Sequence, residues 1–347
     1  MNTPISPLGD VPTDPLLASL PKIDLHCHAE AYPRLDRLLA PREGRQRYDW
    51  RDWLARMMPQ VPPGISRLDV FGNGELDIAA LAPFDEEPEN VIERIQAILE
   101  EAAADGAVLV EVVFGALTVF IPDFMALFRE GERRAQTRYP SICGEANIAL
   151  RFSRLSDEQC EACLRLARDG LAGVNFLPEP YAEEADWAAA YAWARRFAGS
   201  GLGVTAHAGE FSVANIAAAL TTPGLTRIGH GTNAASNPDL VRRMANSGVN
   251  VECCLTCNVV LGSVLSYEEH PVHTFSKAGI NVSLNTDDPV RVCTTIGREY
   301  AIANRLGFSL AELALISRRA IEASFATPER KQSLLASLND WEAVNLG

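Results

Sequence analysis

The sequence predicts a single (β/α)8 TIM barrel, because eight apolar runs alternate with segments of helical periodicity along most of its 347 residues. The runs are almost continuously apolar, as expected for parallel strands that are buried on both faces. Polar, metal-binding residue types end several of the runs, and the C-terminal ends of the strands form the active face of such barrels. The predicted strands are Lys22–His28, Ala107–Phe114, Ile142–Leu150, Leu171–Leu177, Gly203–His207, Thr226–His230, Gly248–Leu255 and Ile280–Asn285.

Segments between these strands carry apolar residues at helical spacing. Two regions fall outside the repeat. Residues 29–81 contain tryptophans and several prolines, and we expect them to form short, lid-like helices and loops over the mouth of the barrel. Residues 309–347 read as C-terminal helices with Ser309 and Thr327 as N-caps. With no domain boundary evident, we expect one domain over 1–347. The predicted helices are Pro88–Ala104, Asp123–Arg138, Ser156–Arg168, Glu183–Phe197, Ser212–Leu220 and Pro238–Ser247.

Composition excludes several classes of partner. The net charge of -14 and the lack of a basic stripe argue against nucleic-acid binding. No apolar run is long enough to span a bilayer, and residues 1–20 lack the pattern of a signal peptide, so a cytoplasmic protein without a membrane partner is expected. The eight cysteines, two CxxC pairs among them, are expected to be mainly buried thiols.

The histidines and aspartates at the strand ends are the candidate functional residues. In a strand, positions i and i+2 face the same side, so His26 and His28 can converge on one point. A single histidine at a strand end is more often a hydrogen-bonded structural residue, and Asp-Asp-Pro is usually a turn. Six such groups on one rim favour a shared site over independent structural roles. The other four are His207, His230, Asp287 and Asp288.

Imidazole and carboxylate ligands without thiolates suit Zn²⁺ best, with nickel, iron or manganese as alternatives. Three histidines and one aspartate leave room for a water, whose pKa a catalytic metal lowers towards about 7. Glu210, three residues after His207, can act as a proton donor if it is partly buried. His230 can take a proton from the water or stabilise the hydroxide, and Asp288 can accept a hydrogen bond from substrate or water.

Four sequence blocks resemble those of the adenosine deaminase family of metal-dependent aminohydrolases, and they occur in the family's order. Two further stretches, Ala79–Glu111 and Val251–Leu261, look similar as well, so the resemblance covers most of the chain after residue 20. The blocks are Pro-Lys-Ile-Asp-Leu-His-Cys-His (21–28), Thr-Ala-His-Ala-Gly-Glu (205–210), Arg-Ile-Gly-His-Gly (227–231) and Ser-Leu-Asn-Thr-Asp-Asp-Pro (283–289).

This resemblance implies one zinc ion per chain and hydrolytic deamination at C6 of a 6-aminopurine nucleoside or base. It also implies the role of each matching residue. Glu210 protonates the ring nitrogen N1, His230 orients and deprotonates the water, and Asp288 contacts N7. The implied metal ligands are His26, His28, His207 and Asp287.

Departures from the family pattern concern the substrate. After strand four, adenosine-specific members use a glycine amide to bind N3 of the base, and Pro178 stands at that position without an N–H to donate. After the first histidine pair, the family has an acidic residue that meets the ribose 5′-hydroxyl and then a glycine. Here Glu30 retains the acid with a longer side chain, and Ala31 replaces the glycine. We therefore expect Glu30, Asn175 and Asp288 to contact the substrate, and adenosine to be a poor one.

Three alternatives remain on the sequence alone. The same barrel and metal could hydrolyse an ester, a lactone or a cyclic amide, although Glu210 suits protonation of a ring nitrogen. A cytidine-deaminase type of site could use His28, Glu30 and the pair Cys254/Cys257, but it leaves His207 unused. A catalytically inactive binding protein would not need the complete ligand set.

Overall fold

A computed structural model describes residues 6–72 and 87–347. Its eight strands form one sheet in the sequential order β1 to β8, and each strand pairs in parallel with the next. The predicted (β/α)8 barrel is confirmed. The strands are β1 (Lys22–His28), β2 (Ala107–Gly115), β3 (Cys143–Arg151), β4 (Gly173–Leu177), β5 (Gly203–Ala208), β6 (Leu225–His230), β7 (Asn250–Cys253) and β8 (Asn281–Leu284).

The barrel closes between β1 and the residues that follow β8. The backbone N–H of His28 donates to the carbonyl of Asp287 (2.7 Å), and the N–H of Asp287 donates to the carbonyl of His26 (2.8 Å). Asp24 reinforces this closure, because its carboxylate accepts from the Thr286 hydroxyl at 2.6 Å. Barrel closure therefore brings residues from opposite ends of the sequence into backbone contact.

Most helices lie where the periodicity predicted them, but two begin late. Asn215 explains one late start: its Oδ1 accepts from the N–H of Ala185 and from Trp187 Nε1, which holds this segment out of the helix. The other helix begins at Ile216 because Asn215 itself has a left-handed backbone. The α-helices with described bounds are α1 (Pro15–Ser19), α2 (Ala31–Arg42), α3 (Trp50–Gln60), α4 (Ile65–Gly72), α5 (Pro88–Ala104), α6 (Phe124–Arg138), α7 (Asp157–Ala167), α8 (Ala188–Gly199), α9 (Ile216–Ala219), α10 (Pro238–Ser247), α11 (Leu255–Leu261), α12 (Val272–Lys277), α13 (Ile296–Arg305), α14 (Leu310–Ala323) and α15 (Pro328–Asn345).

C-terminal helices α14 and α15 begin at the predicted N-caps, Ser309 and Thr327, and Ser309 forms a full capping box with Glu312. The turn between them closes the N-terminal end of the barrel. There the Phe325 ring packs so tightly under β5 that a Cβ on Gly203 would lie 2.1 Å from it. The guanidinium of Arg227 lies 3.6 Å above the centre of the same ring.

The excursion after β1 packs against segments that follow β7 and β8. Trp50, Trp53 and Phe71 form a buried cluster with residues of α11 and with Val290 and Val292. The prediction of a lid-like 29–81 region is described only to residue 72, and the rest of that range lies outside the described residues.

Two expectations from composition can be compared with the structure. None of the eight cysteines, all of which fall in the described ranges, forms a disulfide, and six of them are buried. Among the helices of residues 6–72 and 87–347, none is both long and apolar enough to cross a membrane.

Candidate metal and catalytic site

The four residues predicted as metal ligands meet at the C-terminal end of the barrel. His207 Nε2 lies 3.1 Å from His26 Nε2 and 3.3 Å from His28 Nε2. Asp287 Oδ1 lies 3.6 Å and 3.3 Å from the same two nitrogens. Ligand atoms about 2.0–2.2 Å from a tetrahedral zinc are about 3.3–3.6 Å from one another. The spacing of these side chains therefore fits a first-row divalent ion.

The tautomers of two histidines point to a cation. His26 Nδ1 lies 2.7 Å from the carboxylate of Glu252, and His207 Nδ1 lies 2.9 Å from Asn175 Oδ1. Both partners are acceptors, so Nδ1 carries the proton in each ring and the Nε2 lone pairs face one another. Burial lowers the pKa of each imidazole well below its ordinary value, which disfavours a second proton on either ring. A metal ion would turn this repulsive contact into a favourable one.

His230 lies beside this set, at the end of β6. Ligand atoms of His26, His207, His230 and Asp287 all fall within 4.8 Å of one another, so His230 could replace His28 in a four-ligand group. Its Nε2 is 3.8 Å from Asp287 Oδ2 and 3.6 Å from Glu210 Oε2. His28 Nε2 lies closer to the carboxylate of Asp287, at 3.3 Å, than His230 Nε2 does.

Behind His26, a buried charge network runs towards the barrel floor. Arg227 Nε lies 2.7 Å from Glu252 Oε1, and its Nη2 lies 2.7 Å from Glu111 Oε2. Thr205 also donates to Glu252 at 3.2 Å. The arginine keeps Glu252 paired and in place against His26, an outer-shell contact of the kind that fixes the orientation of a ligand. Sequence analysis missed Glu252 because it lies within an apolar strand.

Replacing Glu252 with glutamine is expected to weaken zinc binding by about 10–100-fold, because the carboxylate that orients His26 loses its charge. Competition for zinc between the metal-free protein and a chromophoric chelator measures the change. Glu145→Gln is the matched control: Glu145 is also a buried strand glutamate paired with arginines, but it lies near the start of β3, at the other end of the barrel. Equal losses in both variants would contradict a specific role for Glu252.

Glu210 follows β5 and is almost fully buried beside the histidines. Tyr181 donates its hydroxyl to Glu210 Oε2 at 2.9 Å, and Asn258 Nδ2 donates to Oε1 at 3.3 Å. Burial, with the nearby charge of Asp288 as a further cause, raises the pKa of Glu210 to about 8. A pKa in this range favours the protonated form at neutral pH, as a general acid requires. Tyr181 and Asn258 were not among the predicted site residues.

The three residues predicted to contact substrate lie around the same site but in different settings. Asp288 is half-buried, and within the described ranges its carboxylate accepts no hydrogen bond. Both carboxylate oxygens of Glu30 lie 3.0 Å from the N–H of Val290, and burial raises the pKa of Glu30 to about 8. Asn175 is buried with its Oδ1 on His207, which leaves only its amide nitrogen for a substrate. Substrate contact by all three stays a prediction.

Three candidate residues have left-handed backbone conformations that non-glycine residues rarely adopt. Glu30 has φ 44°, His230 has φ 65° and Asp287 has φ 64°. Each such conformation costs roughly 1–3 kcal/mol and persists where the surrounding structure enforces it. Strain at three positions of one rim is typical of a functional site.

Comparison with known proteins gives a family match. The family model described as adenosine deaminase matches residues 84–341. Among curated relatives, an adenine deaminase of Mesorhizobium japonicum is 41% identical over 172 residues, which cover 49% of this chain and 51% of the relative. An adenosine deaminase of Shewanella loihica is 41% identical over 140 residues, or 40% of this chain and 42% of that protein. The chain thus spans about half the length of the curated relatives it matches.

The solved structures agree on the fold. The crystal structure of an adenine deaminase from Arthrobacter aurescens superposes with a TM-score of 0.74, covering 93% of this chain and 99% of that one at 24% identity. At this level of identity the likeness establishes the fold alone.

Proposed function

The chain belongs to the adenosine deaminase family, and from that premise we propose that it hydrolyses a 6-aminopurine, replacing the 6-amino group by oxygen and releasing ammonia. The observation that carries this proposal is the contact between His26, His207 and Asp287 next to the buried Glu210, whose pKa burial raises to about 8. A metal-binding set and a general acid are the two parts that this hydrolysis needs.

We assign His26, His28, His207 and Asp287 as the residues that would hold the metal, with zinc as the ion that this donor set suits best. When bound, such an ion supplies a water nucleophile at neutral pH. Glu252 and Asn175 hold the rings of His26 and His207 with their Nε2 atoms inward. The assignment is supported by the distances between the ligand atoms.

We assign the proton transfers to the carboxyl groups of Glu210 and Asp288. Glu210 can protonate N1 of the purine, which makes C6 more electrophilic. The carboxylate of Asp288 is available to accept a proton from the attacking water and to pass it to the amino group, which then leaves as ammonia. The second proton of that water restores Glu210 when the oxygen on C6 becomes a carbonyl oxygen. A positioned acid of this kind is not needed for an ester or a lactone, so that alternative is not favoured.

Adenine is the substrate that we propose. Pro178 cannot supply the backbone N–H that would bind N3 in an adenosine site. Glu30, the residue expected to meet the ribose, already accepts the N–H of Val290 on both oxygens. The adenine deaminase names of a curated relative and of a solved neighbour support the free base as well.

A panel of 6-aminopurines tests the proposal. Ammonia release is measured for adenine, adenosine, N6-substituted adenines and larger 6-amino nucleosides and nucleotides, with protein of known metal content. We expect adenine to exceed adenosine in kcat/KM by at least about 10-fold, the loss that one missing hydrogen bond of about 1.4 kcal/mol produces.

Each outcome of the panel bears on a different part of the proposal. A clear preference for adenosine would contradict the argument from Pro178 and Glu30 while leaving deamination intact. No ammonia from any 6-aminopurine, together with hydrolysis of an ester or lactone, would overturn the proposed reaction itself.

A further inference from the structure

We propose that Asn258, oriented by His270, is a positioning residue that fixes His230 in the tautomer whose Nε2–H faces the site and holds Glu210 beside it. The proposal rests on the proposed function, since it concerns the same site. Asn258 is buried on α11, and its side chain contacts Glu210, His230 and His270 at once. Neither Asn258 nor His270 was a candidate from sequence.

The backbone N–H of Val272 determines the tautomer of His270. The N–H of Val272 lies 3.2 Å from His270 Nδ1 and can only donate, so Nδ1 is the acceptor. Burial lowers the pKa of His270 to about 3, so the ring is neutral and its single proton is on Nε2. His270 is therefore a donor towards Asn258.

This donor settles which way the Asn258 amide points. His270 Nε2 lies 3.2 Å from Asn258 Oδ1, the only atom of that amide that can accept a hydrogen bond. The NH₂ group then points the opposite way, where it has two acceptors. Asn258 Nδ2 lies 3.3 Å from Glu210 Oε1 and 3.0 Å from His230 Nδ1. One amide thus donates to both of these catalytic candidates.

The consequence for His230 follows from its ring chemistry. Because Nδ1 accepts from Asn258, it carries no proton, and the proton of the ring must be on Nε2. His230 Nε2 lies 3.6 Å from Glu210 Oε2 and 3.8 Å from Asp287 Oδ2, and both distances are too long for a hydrogen bond. Among residues 6–72 and 87–347 this N–H has no acceptor, so it can donate to an oxygen atom that enters the site.

This tautomer determines which role His230 can have in the reaction. A protonated Nε2 can neither ligate a metal nor accept a proton. This tautomer therefore leaves His28 as the fourth ligand. It makes His230 a hydrogen-bond donor to the oxygen that attacks C6. Donation to a developing negative charge is a stabilising contribution of the oxyanion-hole type. This differs from the proton-accepting role that family resemblance implied for His230.

Tautomers can be read directly by long-range ¹H–¹⁵N correlation spectra of zinc-reconstituted protein labelled at histidine, with a His230→Gln variant used for assignment. We expect the proton of His230 on Nε2 in the wild type and on Nδ1 in Asn258→Asp, because an aspartate carboxylate can only accept. Asn175→Asp is the matched control: there the carboxylate keeps accepting from His207 Nδ1, so the tautomer of His207 is expected to stay unchanged.

Kinetics supply the second readout. Asn258→Ala is expected to lower kcat by about 10–100-fold with zinc content and KM little changed, the usual effect of removing an outer-shell partner. His270→Gln, whose amide can still donate to Asn258, should retain more activity than His270→Leu. A merely structural role would not distinguish these two replacements.

Three results would each overturn the proposal: a wild-type His230 protonated on Nδ1, an unchanged tautomer in Asn258→Asp, or an Asn258→Ala enzyme within about twofold of wild-type turnover. The first of these results needs no substrate, since the wild-type spectrum decides it once comparison with His230→Gln has assigned the signal. Failure to release ammonia from any purine would count against the proposed function. The spectra would still determine the tautomer of His230 in that case.

Discussion

Glu210→Gln is expected to lower turnover on the best 6-aminopurine by about 10²–10⁴-fold, the contribution typical of general acid catalysis. Glutamine preserves the shape of the side chain and can still accept from Tyr181, but it has no proton to transfer. Metal should remain bound at the wild-type stoichiometry, because Glu210 is not among the assigned ligands. Steady-state kinetics with metal analysis of the same preparation measure both quantities.

The pH profile provides an independent check on Glu210. With the pKa raised to about 8, mainly by burial, the acid form predominates below that pH and is lost above it. The rate of the wild-type enzyme should therefore fall as pH rises through about 8. That alkaline limb should be absent in Glu210→Gln, whose residual rate contains no contribution from this group.

Stability separates lost chemistry from lost folding. A carboxyl group with a raised pKa binds a proton in the folded state that the unfolded chain has released, so the metal-free wild type loses stability between pH 4.5 and about 8. Glu210→Gln removes this pH-dependent loss of stability and should be at least as stable as the wild type at neutral pH.

The control for activity is Glu145→Gln, at the other end of the barrel, which should keep full activity. Unchanged turnover in Glu210→Gln would mean that the assigned proton donor is wrong.

The barrel could be predicted from the sequence because strand and helix periodicities repeat eight times. In a barrel of parallel strands, the C-terminal ends of all the strands lie on one rim. His26 and His28 could be recognised for that reason, since alternation in β1 puts both rings on the same face. His207 and Asp287 follow from the same rule at two other strand ends. The convergence of these four side chains is a property of the topology.

Residues that orient those groups could not be found in the same way. Glu252 is a single charged residue within an apolar strand, and only the register of β7 against β6 and the closure of the barrel bring it to Arg227 and His26. Asn258 and His270 follow β7 at positions without any strand-end signal. Their importance depends on which atom of each faces which neighbour, and a residue pattern does not encode this.

Removal of the metal is expected to have the largest effect of all. Dialysis against a chelator should reduce deamination by at least about 10³-fold, since a bound metal lowers the pKa of water from 15.7 to about 7. Addition of one equivalent of zinc should restore the activity. Thermal unfolding of the two forms should differ as well, because any ion that binds only the folded state stabilises it. Full activity in protein shown to be metal-free would overturn the assigned site.

Replacement of single histidines then separates ligands from neighbours. His28→Ala removes an assigned ligand and should lower zinc affinity by at least about 10-fold, because metal-binding free energy depends on each ligand and on its orientation. His230→Ala, which removes a ring of the same type only 3.8 Å from Asp287, should retain the metal while losing turnover. The opposite pattern would make His230 the ligand, consistent with its place among the atoms that cluster within 4.8 Å. It would also require a tautomer of His230 that its contact with Asn258 does not permit.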